Sequence, residues 1–488
     1  MFSLGIDVGS SSVKVALLDI ESGKCISSST NPKSEAPIKS LQKGWAEQDP
    51  ESWWEYMVAG IKEMAADHDL SEVRSIGISY QMHGLVAVDA DIKPVRDAII
   101  WCDSRAVQTG AKALEDIGYD KCMSHLLNSP GNFTASKLAW VKQNEPETYK
   151  KIKKFMLPGD YIAYKLTDAV TTTATGLSEG IMWDFKENSR ADFVTENYGI
   201  DSSLFCDIVP AIGIGCRTSK ELFGIPAGTP VSYRAGDQPN NAFSLNVLNP
   251  GEIAATGGTS GVVYGVTDLP KADPKSRVNT FLHVSPGEEQ RMGVLLCING
   301  TGILNAWCRR NVTPDLGYAE MNDLAATAPV GSDGLTVLPF GNGAERVLEN
   351  RNIGARFAGL DLVRHTRAHI LRAEQEGIAF SFKYGIDIMK DLGLKPDVIR
   401  AGMANTFLSP IFRTTLATIT GARIELFDTD GALGAARGAA LGAGIYADAA
   451  EAFATLTKVA TVQPDPEWKA PLDEAYARWK SELENSIR

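Results

Sequence analysis

An extended segment, a tip of small residues and a second extended segment occur twice in this chain. The two copies stand 249 residues apart, about half of its 488. The first is Leu4-Gly5-Ile6-Asp7-Val8-Gly9-Ser10-Ser11-Ser12-Val13-Lys14-Val15-Ala16-Leu17; the second runs from Ile253 to Val266 through Gly257-Gly258-Thr259-Ser260-Gly261. Gly9-Ser10-Ser11 aligns with Gly258-Thr259-Ser260. Small residues at such a tip let backbone N–H groups come close to a phosphate. Singly, either tip is explained as the closure of a hairpin. Repetition at half the chain length predicts two related domains facing one nucleotide, 1–247 and 248–488, joined through the turn-rich stretch Val247 to Gly251. A chain this long is expected to divide in any case.

Two acidic residues stand out against this frame. Asp7 interrupts the first strand, where a carboxylate is disfavoured unless it meets water, a partner or a metal. Two residues before a phosphate tip, it reads as a water-mediated Mg²⁺ site or else as a capped surface Asp. Asp237 lies in Gly236-Asp237-Gln238, followed by Pro239, Asn240 and Asn241, and reads as a carboxylate in a turn flanked by amides suited to ligand hydroxyls.

Elsewhere the pattern is that of alternating strands and helices. Asp49 caps a helix that has Pro50 in its first turn and Trp53, Trp54, Met57, Ile61 and Met64 on one face. Val73 to Ser79 reads as a strand, then Gln81-Met82-His83-Gly84 as a tip; His83 there is either structural or a partner for sugar hydroxyls. Ile99 to Arg105 reads as a strand ending in Asp103 and Arg105, which either line the same cleft or pair with each other. Helices are expected over Ala135 to Gln143 and Thr148 to Lys154, and a small-residue loop facing substrate over Thr171 to Ser178. In the second half, Asn299-Gly300-Thr301-Gly302 precedes a helix, and Leu371 to Met389 reads as a long one. Asp397 to Ala401 forms a strand leading into Gly402-Met403-Ala404-Asn405, a candidate adenosine pocket. Gly431 to Gly444 reads as a helix with Gly434, Gly438 and Gly442 on one face. Glycine costs about 1 kcal/mol per helical site, so close helix contact at a domain hinge is the expected reason for them.

The formal charge of −12 argues against a nucleic-acid or anionic-membrane partner, and implies that a polyphosphate is held by local donors and a metal. Seven cysteines without a C-x-x-C pair fit a reducing cytosol, and six histidines show no metal spacing. With neither an export signal nor a run of 18 apolar residues, the expected location is cytoplasmic.

In this order the motifs resemble those of the FGGY carbohydrate kinases, within the actin, Hsp70 and hexokinase superfamily, and over nearly the whole chain they are most similar to the xylulose-kinase branch. Gly5-Ile6-Asp7-Val8-Gly9-Ser10 is similar to the first phosphate motif, and Trp45-Ala46-Glu47-Gln48-Asp49-Pro50 to the segment after it. Gln81-Met82-His83-Gly84 is similar to the sugar motif, Gly258-Thr259-Ser260-Gly261 to the second phosphate loop, and Gly236-Asp237-Gln238 stands where the family keeps Gly-Asp-Asn. The resemblance implies an α/β fold of two ribonuclease H-like domains around a nucleotide and sugar cleft. It further implies ATP-dependent phosphorylation of a ketopentose, with ribulose, L-xylulose or a polyol as alternative acceptors and a superfamily ATPase scaffold as a distant one. Asp237 becomes the catalytic base. Met82, His83, Gly84, Asp103 and Gln238 become sugar contacts. Gly9, Ser10, Ser11, Lys14, Gly258, Thr259, Ser260, Gly302, Gly402, Met403 and Asn405 become ATP contacts, with Asp7 at Mg²⁺. Met403 departs from the Gly-Gly-Gly-Ala usual at the adenosine motif, Gln238 from Asn and Ser10 from Thr. A homodimer is a further expectation from the resemblance.

Overall fold

The computed structural model describes residues 1–287 and 289–487, and its two halves build one sheet pattern twice. In the first half β1 (Phe2–Val8) and β2 (Val13–Asp19) form the predicted hairpin, and β3 (Cys25–Asn31) continues it antiparallel. On the other side β4 (Val73–Tyr80) runs parallel to β1. An antiparallel edge strand, β5 (Ile212–Arg217), follows in the chain and pairs with β6 (Pro230–Gly236), which itself runs parallel to β4. In the second half β7 (Ile253–Gly257) and β8 (Gly261–Thr267) form the hairpin. Two antiparallel strands extend it on one side, β9 (Asn279–Leu282) at the edge and β10 (Met292–Ile298) next to β8. Then β11 (Val398–Gly402) and β12 (Arg423–Phe427) add in parallel and β13 (Lys458–Val462) closes antiparallel. Strand for strand, β3-β2-β1-β4-β6-β5 repeats as β10-β8-β7-β11-β12-β13, the ribonuclease H-like arrangement that the resemblance implied.

The central strands are apolar on both faces because helices cover both. On one side α1 (Pro50–Asp67) starts where expected: Asp49 accepts the N–H of Glu51 at 3.0 Å, and Trp53, Met57, Ile61 and Met64 are buried against Val13 and Val15. Trp54 is only half-buried. Two further helices of the first half are α2 (Thr134–Asn144) and α3 (Asp237–Ser244). The second half contributes α4 (Thr301–Asn311), α5 (Arg367–Asp391) and α6 (Gly431–Gly442). The glycine helix α6 crosses to the first half and lies over β1, β4 and β6. A Cβ at Gly5 would stand 1.7 Å from the carbonyl oxygen of Ala432, and one at Gly442 2.0 Å from that of Ser232. Helix-to-helix contact, the expected reason for the glycines, occurs at Gly434 against Ser244 of α3; Gly438 and Gly442 instead bring the helix down onto the sheet.

Three other local expectations are corrected. The helix expected over Thr148 to Lys154 spans Pro146–Tyr149, and Lys154–Met156 is a strand paired with Val86–Val88, because burying Phe155 and Met156 outweighs local propensity. The strand expected over Ile99 to Arg105 is only Ala98–Ile99, since the carboxylate of Asp103 folds the following residues into a turn. Thr171 to Ser178 is not a loop: Thr171–Thr173 pairs with Asp207–Val209, and Thr173 then caps a short helix, Ala174–Glu179, accepting the N–H of Gly176 at 3.0 Å. Among the described residues no helix is long and apolar enough to cross a membrane.

Candidate active site

Strand register brings the first group of site residues together. Val8 lies opposite Tyr80, and Tyr80 opposite Gly236, so the parallel strands β1, β4 and β6 end level. Gly9, Gln81 and Asp237 therefore leave the sheet side by side at its carboxyl edge, where open α/β sheets bind ligands. Asp237 is the first residue of α3, not part of a turn, and Gly236 is its N-cap. Burial pushes the Asp237 carboxyl up to about 7 and the charge of Asp7 adds to this, while the Gln238 side chain and nearby backbone N–H groups pull it down. A carboxylate that titrates near neutrality can take a proton from a hydroxyl and hold it.

Asp7 is opposite Ser79 on β4 and Lys14 on β2. Burial raises its pKa, the Ser79 hydroxyl lowers it, Asp430 raises it and Lys14 lowers it. Its carboxylate abuts the start of α6, where a Cβ at Gly431 would come within 2.5 Å of Oδ2. Asp430 caps that helix, accepting the N–H of Leu433 at 3.0 Å, and forms an ion pair with Lys14. Lys14, expected at phosphate, is thus engaged by Asp430. Asn240 of α3 ties the two helices by donating to the Gly431 carbonyl at 2.8 Å.

His83 occupies the tip after β4 in the left-handed region, with φ +62°. Its Nδ1 is 2.8 Å from the Glu179 carbonyl oxygen. A carbonyl only accepts, so Nδ1 carries the hydrogen and Nε2 is left as a bare acceptor. Burial, followed by the charge of Lys137, lowers the His83 pKa to about 3, which keeps the ring neutral. Lys137 of α2 is fully buried and donates to the carbonyls of His83 at 2.8 Å and Ile100 at 2.9 Å, pinning the tip. The His83 ring meets Phe133 edge-on at 4.8 Å and Phe281 of the second half at 5.3 Å. Met82 is buried against Gly236, and Gly84 packs under Pro158; both shape the tip from behind. Asp103 adopts the pairing alternative. Its oxygens accept from the N–H groups of Ala46 at 2.6 Å and Arg105 at 2.9 Å and from the Arg105 guanidinium at 2.7 Å, so no oxygen is left over for a sugar.

Sequence reasoning missed Lys137, Phe281 and Glu179. Glu179 is buried beside Gly236 and Met82 with an unpartnered Oε1, and burial, then the charge of Asp237, raises its pKa well above the usual carboxylate range. Its one sequence signal is a charged residue within a stretch of small and apolar ones.

At the first tip, Gly9 closes a turn by donating to the Ser12 carbonyl at 3.0 Å, and Ser10 is held by Gln48, which donates to its carbonyl at 2.6 Å, and by Trp101, which donates to its hydroxyl at 3.2 Å. Ser11 is exposed beside it. The second tip borders a cavity of about 320 Å³ lined by Gly257, Gly258, Thr259, Gly302, Asn305, Tyr318, Asn322 and Asn405, among others. Gly302 is obligatory at this place: a Cβ would lie 1.9 Å from the Gly258 carbonyl oxygen. Ser260 lies against the Cys297 thiol. Of the adenosine motif only Asn405 lines the cavity. Met403 donates its N–H to the Phe427 carbonyl and turns its sulfur to Arg413 at 3.7 Å, and Gly402 does not line the cavity. Asn305, Tyr318 and Asn322 went unnoticed because they lie scattered along helices with no motif of their own.

Known proteins show the same organisation. Residues 2–244 match the N-terminal domain of the FGGY family of carbohydrate kinases and residues 253–447 its C-terminal domain. The xylulose kinase of Escherichia coli is 29% identical over 90% of this chain and 88% of its own, and that of Staphylococcus xylosus 30% identical over 86% and 87%. In structure the chain is similar to the ligand-bound xylulose kinase from Lactobacillus acidophilus, with a TM-score of 0.90 at 23% identity over 100% of this chain and 98% of that one. Duplicated sheets, paired glycine tips and a carboxylate at the carboxyl edge of the first sheet go together with these matches because the chain belongs to the FGGY family of carbohydrate kinases.

Proposed function

We propose that the enzyme transfers the γ-phosphoryl group of ATP to the terminal hydroxyl of D-xylulose, giving D-xylulose 5-phosphate. The observation that carries the reaction is Asp237, held at a helix N-terminus on the sheet edge with a pKa near 7 and level with the His83 tip. Support for the sugar comes from the relatives' names together with a tip whose neutral imidazole offers an acceptor to a hydroxyl.

In this reading Asp237 accepts the proton of the attacking hydroxyl while the two tips hold the polyphosphate, with Gly9, Ser10 and Ser11 on one side and Gly258, Thr259 and Ser260 on the other. Base and ribose enter the cavity beside Gly302 and Asn405. Phosphoryl transfer needs alignment and charge neutralisation more than covalent help, which two facing tips and a helix end supply. His83 Nε2 and the Gln238 amide bond sugar hydroxyls, and closure of domains 1–247 and 248–488 keeps water, a competing acceptor, away from the phosphoryl group.

The donor set also fits a magnesium ion. Asp7 is close enough to raise the proton affinity of Asp237, so a divalent cation held beside them would relieve the repulsion. Among the described residues no three His, Cys, Asp or Glu side chains converge as a direct ligand cluster, which suits an ion that keeps its waters and takes one or two carboxylates plus phosphate oxygens. When bound, the ion would neutralise phosphate charge; Asp7 would hold it through water. Homodimer assembly belongs to the same proposal and is read by sedimentation.

The test is sugar-stimulated ADP release over a panel of ketoses and polyols. The expected result is the highest kcat/KM with D-xylulose. A higher value with ribulose, L-xylulose or a polyol would reassign the acceptor, and no stimulation by any of them would sink the kinase reading.

A further inference from the structure

Arg346 belongs to the second half and faces the sugar tip of the first. The residue before it, Glu345, is fully buried and accepts the N–H groups of Asn299 at 2.9 Å and Gly300 at 3.1 Å, the residues that lead into α4. The segment that carries Arg346 is thus tied to the start of α4, the helix that brings Gly302 to the second phosphate tip. Its guanidinium carbon lies 5.8 Å over the ring of Phe133, which in turn meets His83 at 4.8 Å. Nearby is Cys297, whose thiol lies against Ser260 and feels the charges of both Arg346 and Asp237. Arg346 is thus near Cys297, beside the second phosphate tip, and near Phe133, beside the sugar tip.

Among the described residues the Arg346 side chain, which is half-buried, has neither a carboxylate partner nor a hydrogen bond, and burial lowers its pKa. The other cations of the cleft are engaged, Lys14 by Asp430 and Lys137 by two carbonyls. A half-buried guanidinium without a partner is free to pair with an arriving oxyanion. The cleft otherwise carries Asp7, Asp237 and Asp430, so a migrating phosphoryl group meets like charge unless cations offset it.

We propose that Arg346 is a catalytic residue that binds the phosphoryl group in transit, its N–H groups meeting the equatorial oxygens between the second tip and the sugar. Resting on the kinase reading above, the step balances as follows. The terminal sugar oxygen gives its proton to Asp237 and forms the new O–P bond. The bond from γ-phosphorus to the β,γ-bridging oxygen breaks, and its electron pair leaves on ADP. Arg346 neither gains nor loses a proton.

The test uses the full chain, with Arg346→Met and Arg346→Lys. Arg346→Met is expected to lower kcat by about 10²–10³-fold with KM for D-xylulose and for ATP each within about threefold, and Arg346→Lys to recover roughly tenfold of that loss. Calorimetric binding of ADP with aluminium fluoride in the presence of D-xylulose weakens about 100-fold in Arg346→Met, while ADP alone binds unchanged. Thermal unfolding shows that both variants are folded. A tenfold rise in sugar KM at preserved kcat would mean that Arg346 grips the sugar, as it would the carboxylate of a sugar acid, and would overturn the proposal. Equal binding of the ADP–aluminium fluoride pair by wild type and Arg346→Met would overturn it too. If another sugar from the panel is the true acceptor, the same split is read with that sugar. If none supports turnover, the ADP–aluminium fluoride comparison decides alone.

Discussion

The two glycine tips close the same hairpin in the same sheet, yet their surroundings differ in charge. Around Gly9-Ser10-Ser11 stand Asp7, Asp237 and Asp430; around Gly258-Thr259-Ser260 the cavity is lined by glycine, amide, hydroxyl and tyrosine side chains. Thr256 occupies the place in the second hairpin that Asp7 holds in the first. In the proposed reading a repeated backbone supplies two places to hold phosphate, and a few side chains divide the labour: proton and metal chemistry at the first tip, base and ribose at the second. Nor are the halves independent. After β12 the chain sends α6 across to the first sheet, so the acidic centre combines Asp237 at the head of α3 with Asp430 at the head of α6, its counterpart in the repeat.

Removing the base breaks this division most severely. Asp237→Asn is expected to lower kcat by about 10³-fold or more while D-xylulose still binds with near-native affinity, measured by turnover and by calorimetry. A rate near wild type would reassign the base. Making the first tip resemble the second is the next largest change. Asp7→Thr is expected to lower kcat about 100-fold and to raise the magnesium concentration needed for half-maximal rate. It also sharpens the coupling between the two acids. In wild type kcat/KM is expected to rise with pH through about 7, as Asp237 loses the proton that would block a base. The charge of Asp7 holds that pKa up, so Asp7→Thr moves the rise to lower pH; an unmoved profile would show that the two carboxylates do not interact.

At the second tip the matching perturbation is steric. Gly302→Ala drives a methyl group toward the Gly258 carbonyl, where a Cβ would have only 1.9 Å. The expected result is an ATP KM raised about tenfold with the sugar KM much less affected, since Gly302 lines the cavity proposed for base and ribose. Equal effects on both substrates would mean that the tips do not divide their tasks as their linings suggest.

What could be read in advance follows the same physical division. Alternating apolar residues made the hairpins visible, Asp49 with Pro50 marked the start of α1, Asp7 stood out as an acid where acids are disfavoured, and Asp237 as a carboxylate flanked by amides. Thr148 to Lys154 misled because its helical propensity is local while the burial of Phe155 is not. Lys137, Glu179 and Arg346 carry no spacing signal. Each acquires its role from segments far away in the chain: the His83 and Ile100 carbonyls for Lys137, Gly236 for Glu179, and Phe133 for Arg346. Lys14 and Met403 sat in motifs and were assigned to ATP, but their partners, Asp430 and Arg413, became visible only once the second half had folded.

Glu374 of α5 resembles Asp237 in environment and differs in purpose. It is fully buried, both of its oxygens lack partners, and burial alone pushes its pKa up to about 8. It lines neither tip nor the cavity beside the second one. Its protonated form is the one the fold accepts. An unfolded chain releases that proton near the ordinary glutamate value, so between about pH 4.5 and 8 the folded state binds more protons than the unfolded one and wild-type stability falls as pH rises. Glu374→Gln is neutral at every pH and escapes this decline. Its melting temperature is expected to match wild type near pH 5 and to exceed it by about 2–5 °C near pH 8.5, with kcat unchanged at both. A gap that stays constant with pH would show that Glu374 titrates in the folded protein as it does in water. A fall in kcat would show that the raised carboxylates of the two halves serve one reaction after all.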